Sequence, residues 1–288
     1  MLLNMKELLK PAQKNGFAVP AFNISDYSMF NGIMEVCEEA SSPCIIAIHP
    51  DELNHIGADL LHSIREKASK SIIPCCIHLD HGASFGQVML AIQNGFTSVM
   101  IDGSALPFEK NIALCKPVAE AAHSVNVSVE GELGTIGAAD SGVEAGHETI
   151  IYTDPDDAAE FVKRTGVDTL AVAIGTSHGI YPKGFKPELK LELLKQIKAK
   201  VSVPLVLHGG SNNSDDEIGQ SVRLGVNKIN ISSDIKVAYY EKMREVLKDK
   251  SLREPLIIQP PCVEAMKIVA LHKIQLFLAD SKAGLYVL

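Results

Sequence analysis

Three histidines far apart in the chain each follow an apolar run. His81 ends "CCIHLDH", His178 ends "AVAIGTSH" and His208 ends "PLVLH". Alone, each reads as a hydrogen-bonded structural residue. Together they suggest a metal, because neutral imidazoles that converge with one open position make a catalytic zinc site. Asp102 and Glu132, past two further runs, can add carboxylates. Asp80 sits beside His81, where it can exchange a proton with the molecule the metal polarises. The plainer reading is that Asp80 orients His81 or caps the next helix. A Lewis-acid ion polarises a ketone and stabilises the enediolate left when an adjacent carbon–carbon bond breaks.

A second feature is rich in glycine. "HGGS" (His208 to Ser211) and "NISSD" (Asn230 to Asp234) offer free backbone N–H groups and hydroxyls. Loops of this kind hold phosphate at helix N-termini; two ordinary tight turns are the alternative. Phosphate and metal at one mouth suggest a phosphorylated sugar or a related small oxo compound. Asn23 ends the first apolar run and could join them. Among the other histidines, His78 alternates with Asp80 and reads as a core group. His55, His62, His123 and His272 read as solvated, and His49 stays open.

These groups need elements to position them. Short runs rich in Val and Ile occur at Phe17–Phe22, Cys44–Ile48, Cys75–Leu79, Ser98–Ile101, Val127–Val129, Thr169–Ile174, Pro204–Leu207 and Lys228–Ile231. They are apolar on both faces, as buried parallel strands are. Helical patterns separate them, for example Tyr27–Ala40 and Phe108–His123. Asp154-Pro155-Asp156-Asp157 reads as a helix start, with an N-cap carboxylate and Pro at the first position. The alternation predicts an α/β fold, a (β/α)8 barrel over residues 1–288 as one domain. A doubly wound open sheet is the runner-up, though no GxGxxG or GxxxxGK[ST] follows the first strand. In a barrel, the polar groups just past the strands all face one mouth. Leu133–Thr153, with Gly134, Gly137, Gly142 and Gly146, reads as a mobile loop. Pro261–Phe277 reads as an extra amphipathic C-terminal helix.

Composition removes several classes. A formal charge of −8 with scattered Lys and Arg leaves no footprint for nucleic acid or an anionic membrane surface. No run approaches the ~20 apolar residues of a membrane span. The N-terminus carries charges and a proline where a signal peptide needs an apolar centre. The six cysteines form no CxxC pair and read as reduced core thiols. These features predict a cytoplasmic protein.

The motifs "HLDHG", "SVMIDGS", "VEGELG", "YTDP", "AVAIGTSHG", "PLVLHGGS" and "KINISSD" resemble those of the class II (zinc-dependent) ketose-bisphosphate aldolases. The likeness is to the branch with tagatose-bisphosphate and short bacterial fructose-bisphosphate aldolases, and it runs from "FAVPAFNI" to about "REP". It implies zinc held by His81, His178 and His208, with Asp80 as the catalytic proton donor. Asp102 and Glu132 match carboxylates that hold a second or alternative metal position in some relatives, so a second metal or a monovalent cation stays open. Gly179, Gly209, Gly210, Ser211, Asn230, Ile231, Ser232 and Ser233 match segments that hold dihydroxyacetone phosphate, and Asn23 matches a substrate-side asparagine. The resemblance also implies a homodimer or homotetramer acting on a small phosphosugar.

Departures accompany the resemblance. Gly131 stands where relatives often have alanine, a change expected to be mild. The loop acid that helps move a C3 proton falls on Asp140, with Glu144 as rival. His49-Pro50 replaces the usual Ser or Thr after strand two. No residue is placed for a second phosphate, so a different phosphorylated keto sugar or keto acid remains a rival substrate. A barrel metallohydrolase is a second class, opposed by the phosphate loops. A non-catalytic partner subunit or sugar-phosphate sensor is a third, opposed by the intact set of Asp80, His81, His178 and His208.

Overall fold

The computed structural model describes residues 1–139, 149–182 and 187–286. Eight parallel strands close into a barrel in chain order, β1 (Val19–Asn23), β2 (Cys44–Ile48), β3 (Cys75–Gly82), β4 (Ser98–Ile101), β5 (Ser128–Leu133), β6 (Thr169–Val172), β7 (Leu205–Leu207) and β8 (Val226–Ile231). Closure comes from β8 pairing with β1, Lys228 opposite Val19 and Ile231 opposite Phe22. The ring of paired strands excludes the open sheet. Helices surround it and bury one face each, as Phe108–His123 does with Ile112, Cys115, Val118 and Ala119.

β3 and β5 run three and four residues past the C-terminal ends of their apolar runs. β5 continues to Leu133 because Glu130, Gly131, Glu132 and Leu133 keep pairing with β6. Glu130 and Glu132 therefore lie within the strand, pointing to the same face by its two-residue period. β3 continues to Gly82 through an irregularity in its register with β4 between Leu79 and Gly82. His81, inside that irregularity, has φ 56°. Such bulges re-aim side chains beside functional sites.

The helix Met5–Asn15 was not foreseen. Asn4 caps it by accepting from the Glu7 N–H, and Gly16 ends it in a left-handed conformation. Leu3 N–H donates to the Cys75 carbonyl, and Lys6 N–H to Ser128 Oγ. These bonds place the helix at the N-terminal ends of β3 and β5. It buries Met5, Leu8, Leu9 and Ala12 there.

The C-terminal helix spans Pro255–Leu276, starting earlier than Pro261. Cys262, Met266, Ala270 and Ile274, spaced by four, form its buried stripe. Val263 packs against Gly32, where a Cβ would lie 2.6 Å from Val263 Cγ1. The helix is not simply amphipathic, since Ile268 is 70% exposed and Leu256 76%. All six cysteines are free and buried.

Part of the segment read as a mobile loop is ordered. Gly137–Ala138 pairs in parallel with Ser177–His178, and Ala139 N–H donates to the His178 carbonyl. Asp140 and Glu144 lie outside the described residues. Among the described residues no helix is long and apolar enough to cross a membrane.

Candidate active site

The strands stack the polar groups of the barrel lumen in layers. His78 and Asp80 on β3, Glu130 and Glu132 on β5, and Lys228 and Asn230 on β8 each differ by two residues. All six are buried. His78, Glu130 and Lys228 meet in the lower layer; Asp80 and Asn230 meet in the upper.

The upper layer and the strand ends gather the histidines. Ring centroids are 4.7 Å apart for His81 and His208, 5.1 Å for His81 and His178, and 5.9 Å for His178 and His208. One ligand atom from each lies within 4.8 Å of the others. His81 Nδ1 is 2.9 Å from Asp102 Oδ2, and its Nε2 is buried without a partner. His208 Nε2 is 2.8 Å from Glu130 Oε1, and its Nδ1 is buried without a partner. A carboxylate on one ring nitrogen fixes the tautomer and leaves the other nitrogen's lone pair for a metal. The donor set therefore fits a zinc ion, with imidazole ligands and an open position.

His81, Asp102 and Glu132 form an overlapping group within the same limit. Asp102 has its oxygens engaged by His81 and by the Ser104 N–H and hydroxyl. That leaves Glu132 Oε2, buried and without a partner, as the carboxylate oxygen of this group open to another atom.

Asp80 is held from two sides. The Asn23 amide donates to Oδ2 at 2.7 Å, and the Asn230 amide donates to Oδ1 at 3.0 Å and Oδ2 at 3.1 Å. Both asparagines thus present their amides to Asp80, while their own Oδ1 atoms are buried without partners. A pattern reading that places these side chains on the substrate alone misses this clamp.

The electrostatics follow from crowded charge in a buried space. Burial would raise Asp80, but His81, His208 and Lys228 hold it well below the usual carboxylate range. Burial also raises Glu132, and Asp102 and Glu130 add to it, so this carboxyl sits well above its ordinary value. Burial opposes charge on His81, yet Asp80 and Asp102 bring it up to about 10. Burial keeps His208 low despite its Glu130 partner. A site with this many carboxylates calls for positive charge at His81, supplied by a proton or by a metal ion.

Below it, Lys228 Nζ contacts Glu130 at 2.9 and 2.8 Å and His78 Nε2 at 3.3 Å. Lys228 does not begin its strand but lies inside it, ion-paired. Burial and Lys228 push His78 down to about 3, so it is a neutral core ring as expected. The signal for this layer was present in the sequence: a charged residue two positions before a site residue in an otherwise apolar strand. His123 and His272, read as solvated, are hydrogen-bonded to Asp168 and Asp215.

The glycine-rich turns adjoin this centre. Gly179 and Gly209 have φ 93° and 62°. A Cβ on Gly209 would lie 2.6 Å from the Ser177 carbonyl oxygen, so only glycine lets β7's turn approach that backbone. Ser211, Asn230, Ile231 and Ser232 are buried and Ser233 half-buried. Ser232 caps the helix Ser233–Val246 without a side-chain hydrogen bond, leaving N–H groups of its first turn for another acceptor. On the other side, a cleft of about 490 Å³ is lined by His49, Asp51, His81, Gln87, Asp102 and Ser104, among others.

A closed parallel barrel with its reactive groups on the C-terminal strand ends defines a barrel enzyme. A family model described as class-II fructose-bisphosphate aldolase matches residues 3–282, and the chain belongs to that family. It is an aldolase, a carbon–carbon lyase. The YdjI aldolase from Escherichia coli K12 is 36% identical over 98% of this chain and 100% of its own, with a TM-score of 0.86. A putative fructose-1,6-bisphosphate aldolase from Coccidioides immitis is 25% identical over 98% and 99%, again with a TM-score of 0.86. A fructose-bisphosphate aldolase from Campylobacter jejuni, 22% identical over 98% and 97% with a TM-score of 0.81, speaks to the fold alone.

Proposed function

We propose that the chain is a zinc-dependent aldolase that reversibly cleaves a ketose 1,6-bisphosphate, tagatose or fructose, to dihydroxyacetone phosphate and glyceraldehyde 3-phosphate. One observation carries the reading: the Asp80 carboxylate, clamped by Asn23 and Asn230, lies beside the converging imidazoles. His81, His178 and His208 would hold the ion, with Glu132 beside them. When bound, zinc would polarise the substrate's keto group and stabilise negative charge developing on its oxygen.

The chain's own groups would do the rest. Asp80, ionised and fixed by Asn23 and Asn230, takes the C4 hydroxyl proton as the C3–C4 bond breaks, and returns it in condensation. The charges of His81, His208 and Lys228 favour the carboxylate form of Asp80, the form able to accept a proton in the cleavage direction. Gly179, Gly209, Gly210, Ser211, Ile231, Ser232 and Ser233 form the phosphate cradle, with backbone N–H groups as donors. The Oδ1 atoms of Asn23 and Asn230 accept from substrate hydroxyls. Asp140 or Glu144 moves the C3 proton. The protein would work in the cytoplasm as a single-domain barrel, residues 1–288, in a homodimer or homotetramer, which sedimentation would test.

One observation favours a second reading with the same chemistry and another aldehyde. The cleft beside His81 is lined by His49 and Asp51, with no lysine or arginine among its described lining residues. The deciding experiment measures dihydroxyacetone phosphate release from both bisphosphates, before and after chelation and zinc return. Cleavage lost on chelation and restored by zinc is expected, as is an Asp80→Ala variant that binds zinc but is slower by roughly a thousandfold. Zinc-loaded protein that cleaves neither sugar would sink the bisphosphate reading and favour the other aldehyde.

A further inference from the structure

The C-terminal helix reaches the phosphate cradle through one ion pair. Lys273 is only 5% exposed. Its Nζ lies 2.8 Å from Asp234 Oδ2. Asp234 is in the first turn of the helix Ser233–Val246, next to the N–H groups that would receive phosphate. Its carboxylate accepts from the Asn212 N–H at 3.1 and 3.3 Å, and its own N–H donates to Ser211 Oγ at 3.3 Å. Asn212, at φ 57°, in turn accepts from the Tyr181 N–H on Oδ1 at 3.0 Å. A continuous chain of contacts, Lys273–Asp234–Asn212–Tyr181, thus joins the segments that follow His178, β7 and β8.

This arrangement has a cost that Lys273 offsets. An acid in the first turn stabilises a helix, but here it also sets negative charge beside the place for a dianion. Asp234 accepts from the Asn212 N–H and so holds the left-handed Asn212 turn, and in this chain its charge is cancelled rather than removed. A cation buried against it does so from behind, outside the cradle. We propose that Lys273 is a positioning residue for phosphate binding: it neutralises Asp234 and locks the loops after β7 and β8 together. The inference rests on the phosphate-cradle reading above.

The test is calorimetric titration of zinc-loaded protein with inorganic phosphate and with dihydroxyacetone phosphate. Lys273→Met is expected to weaken both by about tenfold, the scale of one uncompensated charge near a partly buried anion. It should raise KM for the sugar, while kcat and zinc content change little. Lys273→Arg should retain binding. Adding Asp234→Asn to Lys273→Met should recover part of the loss, because the uncancelled charge is gone. If Lys273→Met does not fold, Lys273→Gln keeps a donor to Asp234 without the charge and should show the same loss. Wild-type affinity in a folded Met or Gln variant would overturn the proposal. So would a double variant that binds no better than Lys273→Met, which would mark the pair as structural support. Wild-type protein that binds neither probe would instead bring down the cradle reading itself, together with this inference.

Discussion

At the scale of single residues, the site is a problem of proton accounting. His81 is brought up to about 10, so it carries a proton near neutral pH, while burial shifts Glu132 above its ordinary value. An imidazole must lose that proton to bind a metal. Zinc binding should therefore release about one proton per ion, and its affinity should rise with pH until His81 deprotonates on its own. His208, held low by burial, adds none. Titrations at pH 7.5 in two buffers of different ionisation enthalpy count the protons directly. An apparent enthalpy that does not depend on the buffer would contradict this picture of His81.

At the scale of elements, β5 shows how one small residue is tied to its neighbours. Gly131 was expected to be a mild departure from alanine. A Cβ there would lie 2.9 Å from Phe161 Cε1 and 3.2 Å from Val167 Cγ1, so Phe161 fills the space an alanine would take. Gly131→Ala should cost about 1–3 kcal/mol by overpacking. Chemical denaturation measures this, and adding Phe161→Leu should return part of it. A fully stable Gly131→Ala protein would show that the Phe161 ring moves freely. The sequence could not disclose this pair, because the two residues meet across a strand–helix contact that no local pattern encodes. The bulge in β3 was hidden for a similar reason. "HLDHG" states which groups are present, but regular alternation would send Asp80 and His81 to opposite faces.

At the scale of the whole molecule, the barrel divides chemistry from support. The helix Met5–Asn15 bonds to the N-terminal ends of β3 and β5, the end of the barrel opposite the site. Leu8→Ala, at a fully buried position, should cost about 2–5 kcal/mol in stability. Zinc affinity and KM should stay within about twofold, because that end of a barrel serves stability. Thermal unfolding beside zinc titration checks both halves; a large loss of zinc affinity would mean the two ends are coupled. The barrel itself was legible, since eight apolar runs with helical spacers leave few other topologies. So were His81, His178 and His208, because each ends such a run. Asp102 was legible as a strand-end carboxylate, but its pairing with His81 and that of Glu130 with His208 were not, since the partners lie far apart in sequence. The N-terminal helix was also missed, because its Pro11 and charges masked a buried stripe of Met5, Leu8, Leu9 and Ala12.

The bulge at His81 has a consequence for how the molecule sets the spacing of its reactive groups. His81, His178 and His208 stand on or just past different strands, so the gaps between their rings are set by the packing of the whole barrel. Asp80 and His81 share a peptide bond, so their backbones are placed together by one strand. The Asp80 carboxylate and the His81 ring therefore hang from neighbouring residues of one strand, and their separation depends less on the barrel's shape than the gaps to His178 and His208 do.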